Sequence, residues 1–419
     1  MRNEIILCLV ILCTSIQSIA QLNIDLEYRP RFELRHGYRD AVLVDNPVIG
    51  CISQRSRLNL TYSTPAMRIV FSPQDVRIWG DEQLASSTGV YGDDASLSLF
   101  HAYAEIQTGN FGYVSVGRQP LVYDNQRLLA ERNWNQNRLA YDAVVFKGHL
   151  NNWDLHVGVS WNSNADLTDN CYPPERIKSL NFLWLNHEFS ENLNASFLHI
   201  ASGNTQTDTS NQLFFRQTSG IYVNYLKDQL SYLANVYYQY GKNKQNDEIN
   251  AWLADVKLSY RFGKFKPGLG LSYLSGDSNP VSGDDKLFDV LYGARHRFFG
   301  HMDFFRNIPS NTNYGGLEDY YLFVGYKLSK TISIKDTWHY FRLANTNNLT
   351  PNKKDLGMEN ELSINWKIND FTELETSWLI YNPTESFQTM KGYQSDKYPQ
   401  FVYLELTINP TLFTQQNDD

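Results

Sequence analysis

From Leu22 to Arg35 apolar and polar residues alternate for fourteen positions. Leu22, Ile24, Leu26, Tyr28, Phe32 and Leu34 fall on one face, with Pro30 among them. Asn23, Asp25, Glu27, Arg29, Arg31, Glu33 and Arg35 fall on the other. A period of two is a β-strand with one apolar and one very polar face. Fourteen residues at ~3.4 Å each exceed what most soluble strands need, but suit a strand tilted across a bilayer. Six charges of both signs on one face suit a lined, polar interior.

The pattern recurs. Trp153, Leu155, Val157, Val159 and Trp161 form one apolar face; Leu230, Tyr232, Ala234, Val236, Tyr238 and Tyr240 form another. Trp252, Ala254, Val256, Leu258, Tyr260 and Phe262 stand against Asp255, Lys257, Ser259 and Arg261. Leu362–Ile368 and Val402–Ile408 repeat the alternation. In Met67–Trp79 the apolar phase changes near Pro73, which suggests a bulge. A mean hydropathy of −0.44 would ordinarily mean a soluble protein. Yet 27 tyrosines in 419 residues fit the aromatic girdles of a barrel whose strands turn only alternate residues to lipid. About seventeen or eighteen strand candidates can be counted, and bacterial barrels have even strand numbers. The expected fold is all-β: one transmembrane antiparallel β-barrel of about 18 strands (16–18). Gln107–Phe111, Ser190–Leu193, Ser329-Lys330 and Asn369-Asp370 read as short periplasmic turns. Gly80–Ser96, Asp124–Asn137, Asn162–Glu175, Gly276–Leu287, Phe299–Leu317 and Asn382–Pro399 read as extracellular loops or inward plugs. The last strand is followed by Asn409–Asp419, so Phe413 is not terminal and the usual aromatic assembly signal is displaced.

Met1–Ala20 reads as a cleaved secretory signal: Arg2 opens it, Ile5–Ile16 is an apolar core too short to span a bilayer, and Ser18-Ile19-Ala20 offers a cleavage site. Residues 21–419 then form a single barrel domain outside the cytoplasm. Cys8 and Cys13 leave with the signal. Cys51 and Cys171 could pair in an oxidising periplasm, but two cysteines make no framework, and they are expected to stay unpaired.

Arginine is unevenly spread. Residues 22–150 hold twelve arginines and one lysine, whereas residues 151–419 hold seven arginines and sixteen lysines. The net charge is nonetheless −8, so the surface is not uniformly basic. Arg29, Arg31 and Arg35 share the polar face of the first strand, and Arg55 and Arg57 share a face of the next. In a water-filled pore beside Glu27, Glu33 and Asp75 they could pair with these carboxylates and still attract an anion, because guanidinium is a rigid fork of donors. Gly117–Val145 adds Arg118, Arg127, Arg132 and Arg138 with no lysine before Lys147.

This stretch also carries a resemblance. Gly117-Arg118-Gln119, Asp124–Leu129 (DNQRLL), Arg132-Asn133-Trp134 and Asp142-Ala143-Val144, with Gln74–Glu82 (QDVRIWGDE) and Leu291–Phe305 (LYGARHRFFGHMDFF), resemble the alginate export family of outer-membrane proteins. The resemblance runs from about residue 25 to about residue 408. It implies a monomeric barrel of eighteen strands in a Gram-negative outer membrane, whose arginine-lined lumen conducts an acidic polysaccharide. By position it adds Arg77, Arg118, Arg127, Arg132, Arg138, Arg295 and Arg297 to the lumen set. Glu33, Asp75 and Asp142 would compete for the same guanidinium groups and keep each contact weak enough to release. The expected partners are outer-membrane lipid and lipopolysaccharide, an anionic polysaccharide moving outward, and periplasmic export proteins.

Two other classes stay open. A general or nutrient-uptake porin for small anions would share the barrel and the charge. An outer-membrane enzyme would need a nucleophile motif; His101, His156, His187, His199 and His339 lie in strands, but no G-x-S-x-G accompanies them. His296, His301 and Asp303 match no metal spacing, Asp277, Asp284 and Asp285 read as a solvated turn, and Gly268-Leu269-Gly270 lacks a phosphate-binding context. No catalytic residue, metal or cofactor is expected, and nothing points to nucleic acid.

Overall fold

The computed structural model describes residues 20–39, 47–80, 97–162, 177–206, 212–278 and 283–415. The strands are β1 (Gln21–His36), β2 (Ile49–Ser63), β3 (Met67–Ile78), β4 (Leu97–Gln107), β5 (Gly112–Gln119), β6 (Tyr141–Leu150), β7 (Trp153–Trp161), β8 (Ile177–Ser190) and β9 (Leu193–Thr205). There follow β10 (Leu213–Lys227), β11 (Leu230–Gly241), β12 (Ala251–Tyr260), β13 (Phe265–Leu274), β14 (Leu317–Lys327), β15 (Ile332–Arg342), β16 (Asp355–Lys367), β17 (Thr372–Pro383), β18 (Gln400–Ile408) and β19 (Thr411–Thr414). Each pairs antiparallel with its sequence neighbours. β18 and β19 are one strand, interrupted at Asn409-Pro410 because proline has no N–H for the ladder. Both pieces pair with β1, from His36↔Gln400 down to Asn23↔Thr414, and close eighteen strands into a barrel without a free edge. Phe413 stands opposite Ile24 in that last pairing and is exposed on the wall.

Every large hydrophobic of the β7 apolar face is exposed, from Trp153 through Leu155, Val157 and Val159 to Trp161, as a lipid-facing wall requires. Short turns lie at the end that carries Gln21 and Thr414, the long connections at the other. Residues 81–96, 163–176 and most of the expected signal fall outside the described residues, as does Cys171, the one cysteine Cys51 was expected to leave unpaired.

The interior is not a simple water-filled pore. The connection after β5 and the one before β14 both fold inward. Leu121, Leu128 and Leu129 from the first, with Phe288, Met302, Phe304, Phe305 and Ile308 from the second, are buried in one cluster. Leu129 and Tyr292 bridge the two segments, and Ala294 N–H donates to the Gln126 carbonyl at 2.9 Å. Gly293 makes that approach possible: a Cβ there would meet the Arg127 carbonyl oxygen at 2.2 Å. A short helix α1 (Ile308–Asn311) ends the second segment. Beyond β17, helix α2 (Glu385–Lys391) is capped by the Thr384 side chain and stopped by Gly392 at φ 71°, and it sets Phe387 against Phe304 and Tyr381.

Candidate functional site

The inner faces of β1 and β2 carry the arginines expected there. Register sets Glu27 opposite Arg57, and Arg29 opposite Arg55. The guanidinium groups of Arg29, Arg31 and Arg55 are spent on the segment 131–138, which lies against this wall. Arg29 donates from Nε to Gln136 Oε1 at 3.1 Å and from Nη2 to the Asn133 carbonyl at 2.8 Å. Arg31 donates to the Trp134 carbonyl at 2.8 Å and lies over its ring, 3.7 Å from the centroid. Arg55 reaches the Gln136 carbonyl and Asn133 Oδ1. Arg57 is held by Glu27 and Gln74 and covers Phe100. Glu27, Glu33 and Glu405 neutralise the row, and the half-exposed Arg35 pairs with Glu33. This wall therefore fastens a constriction.

The segment accepts unusual backbone geometry to do so. Asp124, Gln126, Arg132 and Arg138 all have positive φ, between 49° and 67°, which L-residues rarely adopt and which persists only where many contacts fix it. Arg127 crosses to the far wall, where Asp255 takes its guanidinium from β12 and Ser272 Oγ accepts at 2.9 Å from β13. Phe298 covers it at 3.6 Å. Arg138 pairs with Glu131 at 2.7 Å.

Trp134 joins the two inward segments. His296 stacks on its ring at 3.7 Å and 10°, and His301 stacks on His296 at 4.5 Å. With Arg31 they form a column of four planar groups from β1 towards β16, where His301 Nδ1 lies 2.9 Å from Glu361 Oε1, off the line of a hydrogen bond. The two imidazoles are shifted in opposite directions. Burial pushes His296 down to about 4, although Asp303 at 2.8 Å pulls the other way. Burial also lowers His301, but the Glu361 carboxylate more than offsets it and the net shift is upward.

Between the segments lies a cavity of about 640 Å³. Arg132, Arg295, Arg297 and Arg306 line it, with Glu131 and Asp303 as its acids. Arg132 hydrogen-bonds only the carbonyls of Leu291 and Gly293, and among the described residues Arg297 and Arg306 have no carboxylate at ion-pair distance. Burial, with the like charge of Arg295, pushes Arg132 down to about 10; burial lowers Arg295 too. An entering anion would relieve the crowding. A second cavity of about 280 Å³ lies next to it, and the two share Arg297 and His301.

Four expected lumen residues stand elsewhere. Arg118 and Asp142 are cross-strand partners on the face of Val116 and Val144, so their bidentate pair at 2.9 and 2.7 Å is on the outer wall. Asp75 and Arg77 pair with Ser56 and Gln54 of β2, whose neighbours Arg55 and Arg57 point inward, so this pair too faces outward. Both charge pairs fall towards the long-loop end of their strands, where paired charges are cheaper than at the bilayer midplane. The bulge near Pro73 is real, but lies in the pairing of β3 with β4, and β3 itself keeps one phase against β2. Sequence reasoning missed Arg306, which follows the Leu291–Phe305 stretch by one residue and sits in no pattern of its own.

The comparisons can now be set beside this geometry. No curated protein matches the chain in sequence. OccAB1 of Acinetobacter baumannii shares the fold at a TM-score of 0.67 with 12% identity, over 95% of this chain and 100% of its own. OccK5 (OpdH) of Pseudomonas aeruginosa does so at 0.63 with 9% identity, over 94% and 98%. OccAB4 of Acinetobacter baumannii follows at 0.62 with 13% identity, over 94% and 98%. The alginate export profile matches residues 20–367, most of the chain. A closed barrel of eighteen strands with a constricted, arginine-bearing interior, matched over that span, is a channel of the Gram-negative outer membrane, and this chain belongs to the alginate export family.

Proposed function

We propose that this channel passes an anionic saccharide, a uronate polymer or oligomer of the alginate type, along guanidinium groups of its lumen, in the outward direction. The observation that carries the proposal is the cavity of about 640 Å³ at the constriction, where four arginines face two carboxylates. Arg132, Arg295, Arg297 and Arg306 form the track. Arg29, Arg31, Arg35, Arg55, Arg57, Arg127 and Arg138 hold the constriction in shape. Carboxylates spaced along a polymer would move from one fork to the next, and none binds so tightly that it stays. Lipopolysaccharide surrounds the wall, and periplasmic export proteins would deliver the chain.

A small-anion uptake porin is the second possibility, favoured by the packed interior of the two inward segments, which leaves limited room for a polymer. Block of single channels by uronate oligomers of increasing length separates the two. Export of a polymer requires that block deepen with length and fade in high salt, since the attraction is screened. Block by monomers alone, unchanged with length, would favour uptake. No block by any uronate would sink both the track and its substrate.

A further inference from the structure

Below the constriction the lumen changes from arginine to lysine. β12, β13 and β15 turn Lys257, Lys266 and Lys335 inward, since Leu258, Leu269 and Trp338 occupy the exposed faces of the same strands. One row of the sheet runs Lys266, Gly325, Lys335 across β13, β14 and β15, and Lys257 stands opposite Gly270 in the neighbouring pair. The glycines leave room for two aromatic rings against the wall. A Cβ at Gly268 would meet the Phe323 ring at 2.2 Å, and one at Gly270 the Tyr321 ring at 2.1 Å. Lys257 Nζ lies 4.8 Å from the centre of the Phe323 ring, and Lys335 Nζ 5.6 Å.

Lys257, Lys335, Tyr321 and Phe323 of this wall line the cavity of about 280 Å³, which Arg297 connects to the one above. Its carboxylates already have partners. Asp255 takes Arg127 and Asn235, Asp319 takes His339 at 2.8 Å, and Glu361 faces His301. Lys257, Lys266, Lys335 and Arg297 have no carboxylate at ion-pair distance among the described residues. Three buried polar atoms of the lining also lack a hydrogen-bond partner, His301 Nδ1, Asn125 Oδ1 and Thr337 Oγ1, the last two on side chains more than nine-tenths buried. Unspent cations, an aromatic floor and open hydrogen-bonding positions around one small cavity are what a single charged sugar needs: oxyanion on ammonium, ring face on ring, hydroxyls on the free acceptors.

We propose that Lys257, Lys335 and Phe323 form a separate loading station on the periplasmic half of the lumen, which takes one acidic sugar unit at a time and hands it to Arg297. The station rests on the proposed passage of an anionic saccharide, and goes beyond it in assigning a site, a side of entry and an aromatic contact.

The test uses the full-length barrel inserted with known orientation in planar bilayers, with a trihexuronate as the probe. In Lys257→Gln/Lys335→Gln, block from the periplasmic side should weaken about tenfold, the loss of two screened charge contacts. Block from the extracellular side should change far less. Lys257→Arg/Lys335→Arg should restore periplasmic block, which also shows that the barrel still assembles. Phe323→Leu should weaken block by the trihexuronate and leave the chloride-to-potassium preference as it was. If the double glutamine variant kept wild-type periplasmic block while Arg297→Gln/Arg306→Gln lost it, the station would be overturned and the arginine track would stand. If the wild type showed no block from either side, the lumen would hold no acidic sugar, and the track would fall along with the station.

Discussion

Arg127 shows how much a single residue can mislead when only its type is known. An arginine in a polar, amide-rich stretch invites an anion, yet here the residue is 2% exposed and its guanidinium is closed off by Asp255, Ser272 and Phe298. Arg127→Ala should leave Asp255 as a buried, unmatched charge at a cost of about 3–5 kcal/mol, whereas replacing both partners by apolar residues of similar volume should cost much less. The temperature at which the folded band disappears on a heat-modifiable gel measures both; equal losses would mean that the pair is not coupled. Arg118 behaves oppositely. Arg118→Glu sets like charges side by side on the outer wall, costs up to about 1 kcal/mol, and should not alter ion selectivity. A change in selectivity would put Arg118 back in the lumen. His296 and Lys257 were visible as residues but not as partners, because stacking and ring contact across the barrel leave no mark on local sequence.

At the scale of elements, alternation was legible wherever a strand was long and one face uniformly apolar. β1 is the best case, and its arginines point inward as its pattern requires. In β3 and β5 the strands were legible, but the facing of their charged residues was not, for a physical reason. In β3 the outward face itself carries Asp75 and Arg77, while Val76 and Ile78 are apolar on the other side, so the pattern inverts near the rim. β5 has only eight residues, too few for alternation to outvote one charged residue. The inward segments have no period at all, and their place is set by contacts with remote strands. Trp134 is the test of that element. Trp134→Ala removes the ring between Arg31 and His296 and should loosen the clasp between the segments 131–138 and 294–307. Single-channel conductance should rise and become noisier. A conductance unchanged from wild type would show that other contacts hold the constriction.

At the scale of the molecule, eighteen antiparallel neighbours and a lipid-facing apolar wall close into a barrel. It should show a β-type far-ultraviolet spectrum in detergent and migrate faster folded than boiled; a helical spectrum would contradict the fold. Charge at this scale is not the net −8 of the chain but the cations of the lumen that have no carboxylate at ion-pair distance among the described residues, at Arg297, Arg306, Lys257, Lys266 and Lys335. Such an interior should favour anions by focusing field lines in a narrow, low-dielectric passage. The deciding measurement is the reversal potential of the wild-type channel across a potassium chloride gradient, compared with Arg297→Gln/Arg306→Gln. A potential of the sign that marks chloride preference, moved towards zero in the variant and smaller at high salt, is what this lumen requires. A cation-preferring channel, or one whose selectivity the variant leaves untouched, would contradict it.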